Sequence, residues 1–384
     1  MYTKSFCAGD DRELAQLIDE FQQADFQPTL GIVFCSIAQN LSAIQRVFSS
    51  RGMDLIGCTT SGEICDDSCY DDHISVLLMD INRAHYRIFT AVDPEMATNE
   101  HACQTALAAL KSFSEPGLIT LSGGFTVNAD EIIQGFKTVF GNHKVPIYGG
   151  QAGDGLRMKE TYVFTSTVVS NRGLATLILD IDRVEMTGLA TSGWEPIGAV
   201  HTITKAEGNV VYSIDNEPAL DFFIRHFGYF NSAEIAVQSL ENMSTQYPLQ
   251  LFRPDGYTVL RSPIIGDEAK RSLMLAGGVR NGDRFRFSMS PGFEVIDQTH
   301  EDFQAVHRLA PKADALILFS CKGRHSALGP LINDEVKGIY EQWQAPMTGF
   351  FSYGELGPNS DGFFDFHNET CSLVVIRERA QLNN

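Results

Sequence analysis

The chain has no run of eighteen or more apolar residues, so no transmembrane helix is expected. Its first residues, Met1-Tyr2-Thr3-Lys4-Ser5-Phe6, lack the apolar stretch of a signal peptide. Basic residues are scarce: 29 Lys and Arg stand against 48 Asp and Glu, a net charge of −19. That balance argues against nucleic acid, whose binding needs Lys and Arg to neutralise phosphates. No polybasic cluster or basic amphipathic helix points to an anionic membrane. Closely paired cysteines are missing too. Eight are scattered, and Cys35 and Cys371 sit inside apolar stretches, which reads as a reduced interior population in the cytoplasm. There is no G-x-S-x-G, H-E-x-x-H or Walker loop, so no catalytic residue is assigned. No G-x-G-x-x-G opens a helix, which removes a dinucleotide fingerprint.

What is present is an ordinary soluble composition, 43% hydrophobic and 20% charged over 384 residues, long enough for two domains. Helical spacing of Leu14, Leu17, Ile18 and Phe21 predicts a first helix ended before Pro28. Thr29 to Ser36 is a continuous apolar run, the pattern of a strand covered on both faces. A helix over 38–50 and a strand leading to Gly57 follow, then strands at 74–79 and 86–91. The same order returns as a strand over 117–124, a helix over 129–140 and a strand to Gly149, trailed by strands at 162–167 and 174–179. It returns again as a strand over 315–321, a helix over 331–343 and a strand to Gly349, with 371–376 after it. Between them, 202–212 reads as a hairpin, Pro218 to Phe230 as an aromatic helix, and 300–309 as a helix. Gly277 to Asp283 reads as a hairpin turn between strands 273–276 and 284–289. The expectation is an α/β (α+β) chain of two domains, mixed sheets covered by helices, built from related strand-helix-strand units.

Each repeat ends in a glycine loop with an acid. The three are Gly57-Cys58-Thr59-Thr60-Ser61-Gly62-Glu63, Gly149-Gly150-Gln151-Ala152-Gly153-Asp154, and Gly349-Phe350-Phe351-Ser352-Tyr353-Gly354-Glu355. Glycine lets a ligand approach the backbone, loop amides can cradle an anion, and the hydroxyls and carboxylates could hold an amine. The competing reading is a set of strand-end turns whose acids cap neighbouring amides. Arg324, in Ser320-Cys321-Lys322-Gly323-Arg324, follows an apolar strand, where α/β proteins place ligands. Its guanidinium would clamp a carboxylate, or else make a salt bridge to Glu355 or Asp334. The ligand-binding candidates are therefore Arg324, Glu355, Cys321, Gly354, Tyr353, Thr59, Thr60, Glu63 and Asp154. Cys58, Cys65, Cys69 and His73 have looser spacing than zinc sites usually show, in an acidic turn. Cys321 or Ser61 as the nucleophile of a hydrolase or transferase is the reading from another class.

These loops, the Phe319-to-Arg324 stretch, Gly354-Glu355-Leu356-Gly357-Pro358 with His367-Asn368-Glu369-Thr370, and Val211-Tyr212-Ser213-Ile214-Asp215-Asn216-Glu217-Pro218-Ala219-Leu220 resemble the FIST family. The resemblance spans roughly residues 28 to 370. It implies an extension over 1–27, a FIST N-terminal domain over 28–205, a C-terminal domain over 206–376 and a tail over 377–384. It also implies a bacterial signal-transduction module that senses a small ligand. Stand-alone members of about this length include haem-binding nitric oxide sensors acting on histidine kinases or cyclic-di-GMP enzymes. No kinase-like or GGDEF-like segment is appended, so a separate signalling protein is the expected partner, and a homo-oligomer stays open. Haem b would be held non-covalently, because C-x-x-C-H is absent. For its iron, His226 has the most apolar setting, on the helix with Phe222, Phe223, Phe227, Tyr229 and Phe230 beside Arg225. His367 and His325 follow, each next to a family motif. The plainer alternative for His226 is an aromatic core stripe. Without haem, Arg324 and Glu355 would bind an amino acid or other carboxylate.

Overall fold

The computed structural model describes residues 1–124, 127–141, 143–227 and 246–379. One strand-helix order recurs three times along it. The first unit runs β1 (Tyr2–Ala8), α1 (Asp11–Phe21), β2 (Leu30–Ser36), α2 (Leu41–Ser49), β3 (Asp54–Thr60), β4 (Glu63–Cys65), β5 (Ser68–Tyr70) and β6 (Ile74–Asp80). The second runs β7 (Tyr86–Ala91), α3 (Thr98–Ser112), β8 (Pro116–Gly123), α4 (Ala129–Phe140), β9 (Ile147–Gln151), β10 (Val163–Thr165), β11 (Val169–Ser170) and β12 (Gly173–Asp180). The third opens with β13 (Val184–Thr191) and is then interrupted. The interruption holds β14 (Glu195–Glu207), β15 (Val210–Ile214), β16 (Glu217–Pro218), α5 (Ala219–Phe227), β17 (Leu249–Phe252), β18 (Thr258–Arg261), β19 (Pro263–Asp267), β20 (Ser272–Leu275) and β21 (Arg284–Met289). The third unit resumes as α6 (Glu294–Leu309), β22 (Ala315–Cys321), α7 (Lys322–Leu328), α8 (Ile332–Trp343), β23 (Met347–Ser352), β24 (Glu355–Pro358), β25 (Phe364–His367) and β26 (Cys371–Glu378).

Local chemistry sets these elements. Asp10 caps α1, accepting the Arg12 and Glu13 N–H groups at 2.9 Å, and Asn40 caps α2 through Ala43 N–H at 3.1 Å. Every residue of β2 and β22 is buried, as continuous apolar runs require when both sheet faces are covered. Within each unit the first pair of long strands (β2–β3, β8–β9, β22–β23) is parallel, and the last strand (β6, β12, β26) returns antiparallel.

The three sheets are completed by exchange. Their orders are β1-β6-β2-β3-β10-β11, β7-β12-β8-β9-β24-β25 and β13-β26-β22-β23-β4-β5. Each unit thus sends a hairpin to another: the first to the third, the second to the first, and the third to the second. The inner faces share one core, in which Phe34 from the first sheet meets Phe350 at 4.6 Å and Phe319 at 6.2 Å from the third. Ile119, Tyr148 and Leu177 bring in the second sheet. The helices cover the outer faces, α1 and α2 on the first sheet, α3 and α4 on the second, α6 and α8 on the third.

The α/β class with mixed, helix-covered sheets is what the structure has, and the division expected at 205/206 falls within β14. β13 pairs with β26 over the full range Val184↔Glu378 to Thr191↔Cys371, so strands on both sides of that division share a sheet. The strand over 162–167 lies in the first unit's sheet, not its own. The 202–212 hairpin forms as β14–β15. Gly277 to Asp283 is not a hairpin turn, because β20 and β21 are not neighbours. It docks on α4 instead, where Gly278 N–H donates to Asp130 at 2.5 Å. Arg261, fully buried, completes that seam through Asp130 (3.1 Å), Gly278 O (3.3 Å) and Phe366 O (3.0 Å). Of the aromatic helix, residues 228–230 lie outside the described residues.

Candidate functional site

The glycine loops are the points where the chain crosses from one sheet to the next. Gly57, Gly149 and Gly349 each lie against the neighbouring strand, and a Cβ would fall 2.0, 1.8 and 2.2 Å from Val33 O, Thr120 O and Leu318 O. Close backbone approach is therefore what these glycines supply. Past the crossing, Glu63 opens β4 opposite Phe350, and Glu355 opens β24 opposite Gly150. Thr60 Oγ1 donates to Glu63 Oε1, with His73 N–H on Oε2 at 2.9 Å. Ser352 Oγ donates to Glu355 Oε1, and Thr370 Oγ1 to Oε2 at 2.6 Å. Both carboxyls are fully buried. Burial disfavours the charged form and pushes Glu63 up to about 7 and Glu355 up to about 8.

In the second unit the same register position, opposite Cys58, is Val163. Asp154 is therefore not the counterpart of the two glutamates. It lies in a longer loop and accepts N–H bonds from Met158 (3.0 Å), Lys159 (2.7 Å) and Glu160 (3.2 Å), together with the Tyr353 hydroxyl. The crossings are laced to one another: Gly153 N–H to Thr59 O at 2.8 Å, Gln151 N–H to Gly354 O at 2.8 Å, and Ser61 N–H to Phe351 O at 3.0 Å. Thr59, Thr60, Glu63, Asp154, Tyr353, Gly354 and Glu355 are thus brought together, with their polar groups turned on each other.

Arg324 is corrected from a clamp to a core group. It is fully buried, and its Nε donates to Glu335 at 2.9 and 3.1 Å. Nη2 donates to Thr299 Oγ1 at 2.7 Å and to Glu335, Nη1 donates to Ser192 O and Glu369 O, and the group lies 5.1 Å over the Trp194 ring. Its salt-bridge partner is neither Glu355 nor Asp334. Cys321 is buried at the end of β22, where burial and then the charges of Glu355 and Glu369 push its thiol well up. A protonated thiol is a poor nucleophile, and Cys321 is held in that form by its burial. Ser61 Oγ accepts the Gly155 N–H at 3.1 Å, and among the described residues no histidine hydrogen-bonds to it. Cys58 faces the shared core while Cys69 packs at the third unit's outer face, so the cysteine and His73 series does not converge. Among the described residues no group of three or more His, Cys, Asp or Glu could hold a metal ion.

Beside Arg324 lies Glu369, which sequence reasoning passed over. It is fully buried at φ +53°, and burial pushes its carboxyl up to about 8. Ser262 Oγ donates to Oε1 at 2.6 Å, while Oε2 has no hydrogen-bond partner among the described residues. Gly323 makes room for it, since a Cβ there would fall 2.2 Å from Oε1. Ser320 Oγ, Asn368 Oδ1 and Trp194 Nε1 are also buried without a hydrogen-bond partner among the described residues.

The histidines separate clearly. His367 is buried, with Nε2 bonded to Gly357 O at 3.0 Å. His325 stacks on Phe351 at 4.2 Å, and its Nδ1 meets Lys322 Nζ at 2.9 Å. Burial and then Lys322 hold it down at about 4. Neither stands free on an open apolar face. Arg225 pairs with Glu217 and lies over Phe222. His226 is exposed on α5, its Nδ1 2.8 Å from Phe222 O, its ring 4.1 Å from Phe222 and 5.3 Å from His201. His201, on β14 and absent from the sequence candidates, sets Nδ1 2.7 Å from Asp215 Oδ2. Both Nδ1 partners only accept, so Nδ1 carries the proton in each ring, and in the neutral rings Nε2 keeps its lone pair.

A FIST N domain model matches residues 29–217, and a FIST C domain model matches residues 219–358. The chain belongs to the FIST family. FIST domains are sensor domains of signal transduction. The boundary between the two matches falls within the inserted strands, between Glu217 and Ala219. An uncharacterised protein of Mycobacterium bovis is 25% identical to this FIST chain over 246 residues, and an uncharacterised protein of Mycobacterium tuberculosis is 25% identical over 244. The chain spans about 60% of the length of these curated relatives, and 60% of its own length is matched. Among its described residues no helix is long and apolar enough to cross a membrane.

Proposed function

We propose that this FIST protein senses nitric oxide through haem b bound non-covalently at the His201–His226 pair. It passes that state in the cytoplasm to a separate signalling protein, a histidine kinase or a cyclic-di-GMP enzyme. The observation that carries the reading is two neighbouring imidazoles whose Nδ1 atoms are tied to Asp215 and to Phe222 O. A carboxylate or carbonyl on the second nitrogen is how iron-ligating histidines are oriented. Phe222, Phe285 and Phe287 wall the pair, with ring centroids 4.8, 5.7 and 6.2 Å from His201. Haem, when bound, would supply an iron able to take up nitric oxide; the chain's residues would fix the imidazole tautomers and supply the apolar wall. The His201 strand belongs to the inserted sheet, which Arg261 and Asp130 tie to the three-unit core, so a shift in that docking is the proposed output. Titrating the purified protein with haem tests this. A Soret band that moves with nitric oxide, and that His201→Ala or His226→Ala alters, is the expected result. An unchanged spectrum in both variants would dismiss the pair.

A second reading, an amino acid or other small polar ligand without haem, has one observation in its favour. The unpartnered Glu369 Oε2, Asn368 Oδ1 and Ser320 Oγ lie on the segments around the end of β22. There Glu369, rather than the engaged Arg324, would meet the ligand, favouring a hydrogen-bond donor. Thermal-shift screening with amino acids tests it: a hit that survives Glu369→Gln would rule that site out.

A further inference from the structure

The base of the molecule, opposite the crossings, carries a feature that haem sensing does not use. The connections between units and the ends of the third sheet enclose a groove of about 650 Å³ there. Its lining includes Arg183, Lys312, Arg377 and Arg379, with Trp343 from the end of α8 as a flat wall. In a chain of net charge −19, four cations around one groove are a local reversal of sign. Glu185 stands opposite Arg377 in the β13–β26 ladder, and Arg379 N–H donates to Arg183 O at 2.7 Å. Arg183 and Arg377 are therefore diagonal neighbours on one sheet face, with Cβ atoms about 7 Å apart, a separation that two guanidiniums can close around one anion. Among the described residues the side chains of Arg183, Arg377 and Lys312 have no hydrogen bond or ion pair. The two carboxylates in the groove are engaged. Asp314 accepts the Glu378 N–H at 2.7 Å, and Glu378 lies 2.7 Å from the Met1 amino group and 3.7 Å from His85 Nδ1. That His85 nitrogen is buried without a hydrogen-bond partner among the described residues. Trp343 is fixed by its Nε1 donating to Ala310 O at 2.8 Å.

We infer that this groove binds a nucleoside monophosphate, its phosphate between Arg183 and Arg377 and its base against Trp343. Planar guanidiniums match phosphate oxygens in pairs, and a fixed indole offers a stacking wall. The volume lies within the range of small-molecule sites. Isothermal titration calorimetry of the full chain at constant ionic strength tests it, with AMP, ribose 5-phosphate and inorganic phosphate as probes. Saturable binding is expected, with AMP tightest. Arg183→Ala and Arg377→Ala should each weaken it about ten-fold, the loss of one charge-assisted contact. Arg280→Ala, a like charge removed from the inserted sheet, should leave it unchanged. Because Arg183 and Arg377 have no side-chain partners among the described residues, both variants should keep the wild-type melting curve. Absence of saturable binding, or affinity unaltered in both groove variants, would overturn the site. Equal affinity for all three probes would overturn the assignment of a nucleoside ligand.

Discussion

Replacing Glu355 by glutamine should reverse sign in its effect on stability as pH rises. The carboxyl is fully buried between Ser352 and Thr370, and burial raises its pKa from 4.5 to about 8. In the folded chain the proton therefore stays on through neutrality, whereas an unfolded chain loses it near 4.5. A raised carboxyl pKa contributes stability that is full below pH 4.5 and is lost as pH climbs through 8. At about 1.4 kcal/mol per tenfold in proton affinity, the loss across that window is on the order of 5 kcal/mol. Glutamine mimics the protonated acid and does not titrate. At pH 5, Glu355→Gln should sit within about 1 kcal/mol of wild type, the scale of one altered hydrogen bond. By pH 9 it should be the more stable protein by several kcal/mol. Urea denaturation at half-unit steps from pH 5 to pH 9 reads this directly. Parallel curves for the two proteins would refute the claim that Glu355 is folded as a buried neutral acid.

Arg324→Met should cost about 3–5 kcal/mol in denaturation, because it leaves Glu335 buried and uncompensated, and adding Glu335→Leu should restore most of it. A single variant within 1 kcal/mol of wild type would contradict the buried pair. Gly349→Ala should destabilise by about 1–3 kcal/mol or more through its clash with Leu318 O, seen as a lowered Tm. An unaltered Tm would mean that the crossing has slack. Arg261→Met should loosen the inserted sheet from α4 and speed limited proteolysis near Gly277 to Asp283. Unchanged cleavage rates would place the docking energy elsewhere.

The repeated order of strand, helix and glycine loop was legible because it is written in short-range patterns. β2 and β22 show as apolar runs, and α2 and α8 as apolar faces. The exchange of hairpins was not legible, since β4, β10 and β24 look locally like continuations of their own units. Only long-range pairing such as Phe350↔Glu63 reveals where they go. α3 escaped because its buried face is His101, Ala102, Thr105, Ala106 and Ala109, polar or too small to mark an amphipathic pattern. Asp154 was matched to Glu63 by its glycine, but register assigns that position to Val163. At the sites, sequence brought Arg324 forward without its partner, because Glu335 lies eleven residues on, across the turn from α7 into α8. His201 and Asp215 are joined only once β14 and β15 fold back on each other, while His226 alone carried a visible aromatic context. Glu369 was in view within a motif, yet nothing local marks a side chain that is buried with one oxygen unpartnered.

The fold suggests how a sensor of this family is assembled. Three exchanged units make one core in which the buried glutamates Glu63 and Glu355 sit at the crossings. The insertion, with His201 on β14 and His226 on α5, is tied to that core by Arg261 and Arg253 on Asp130 and by Arg253 on Asp365. Under the proposed haem reading, ligation at His201 and His226 would act beside a polar seam, which can rearrange with less loss of packing than the shared apolar core. The absorption spectrum of the full chain, loaded with haem and then exposed to nitric oxide, tests the central claim most directly. The account predicts a Soret band that shifts on nitric oxide and changes when His201 or His226 is replaced. A protein that takes up no haem would contradict it.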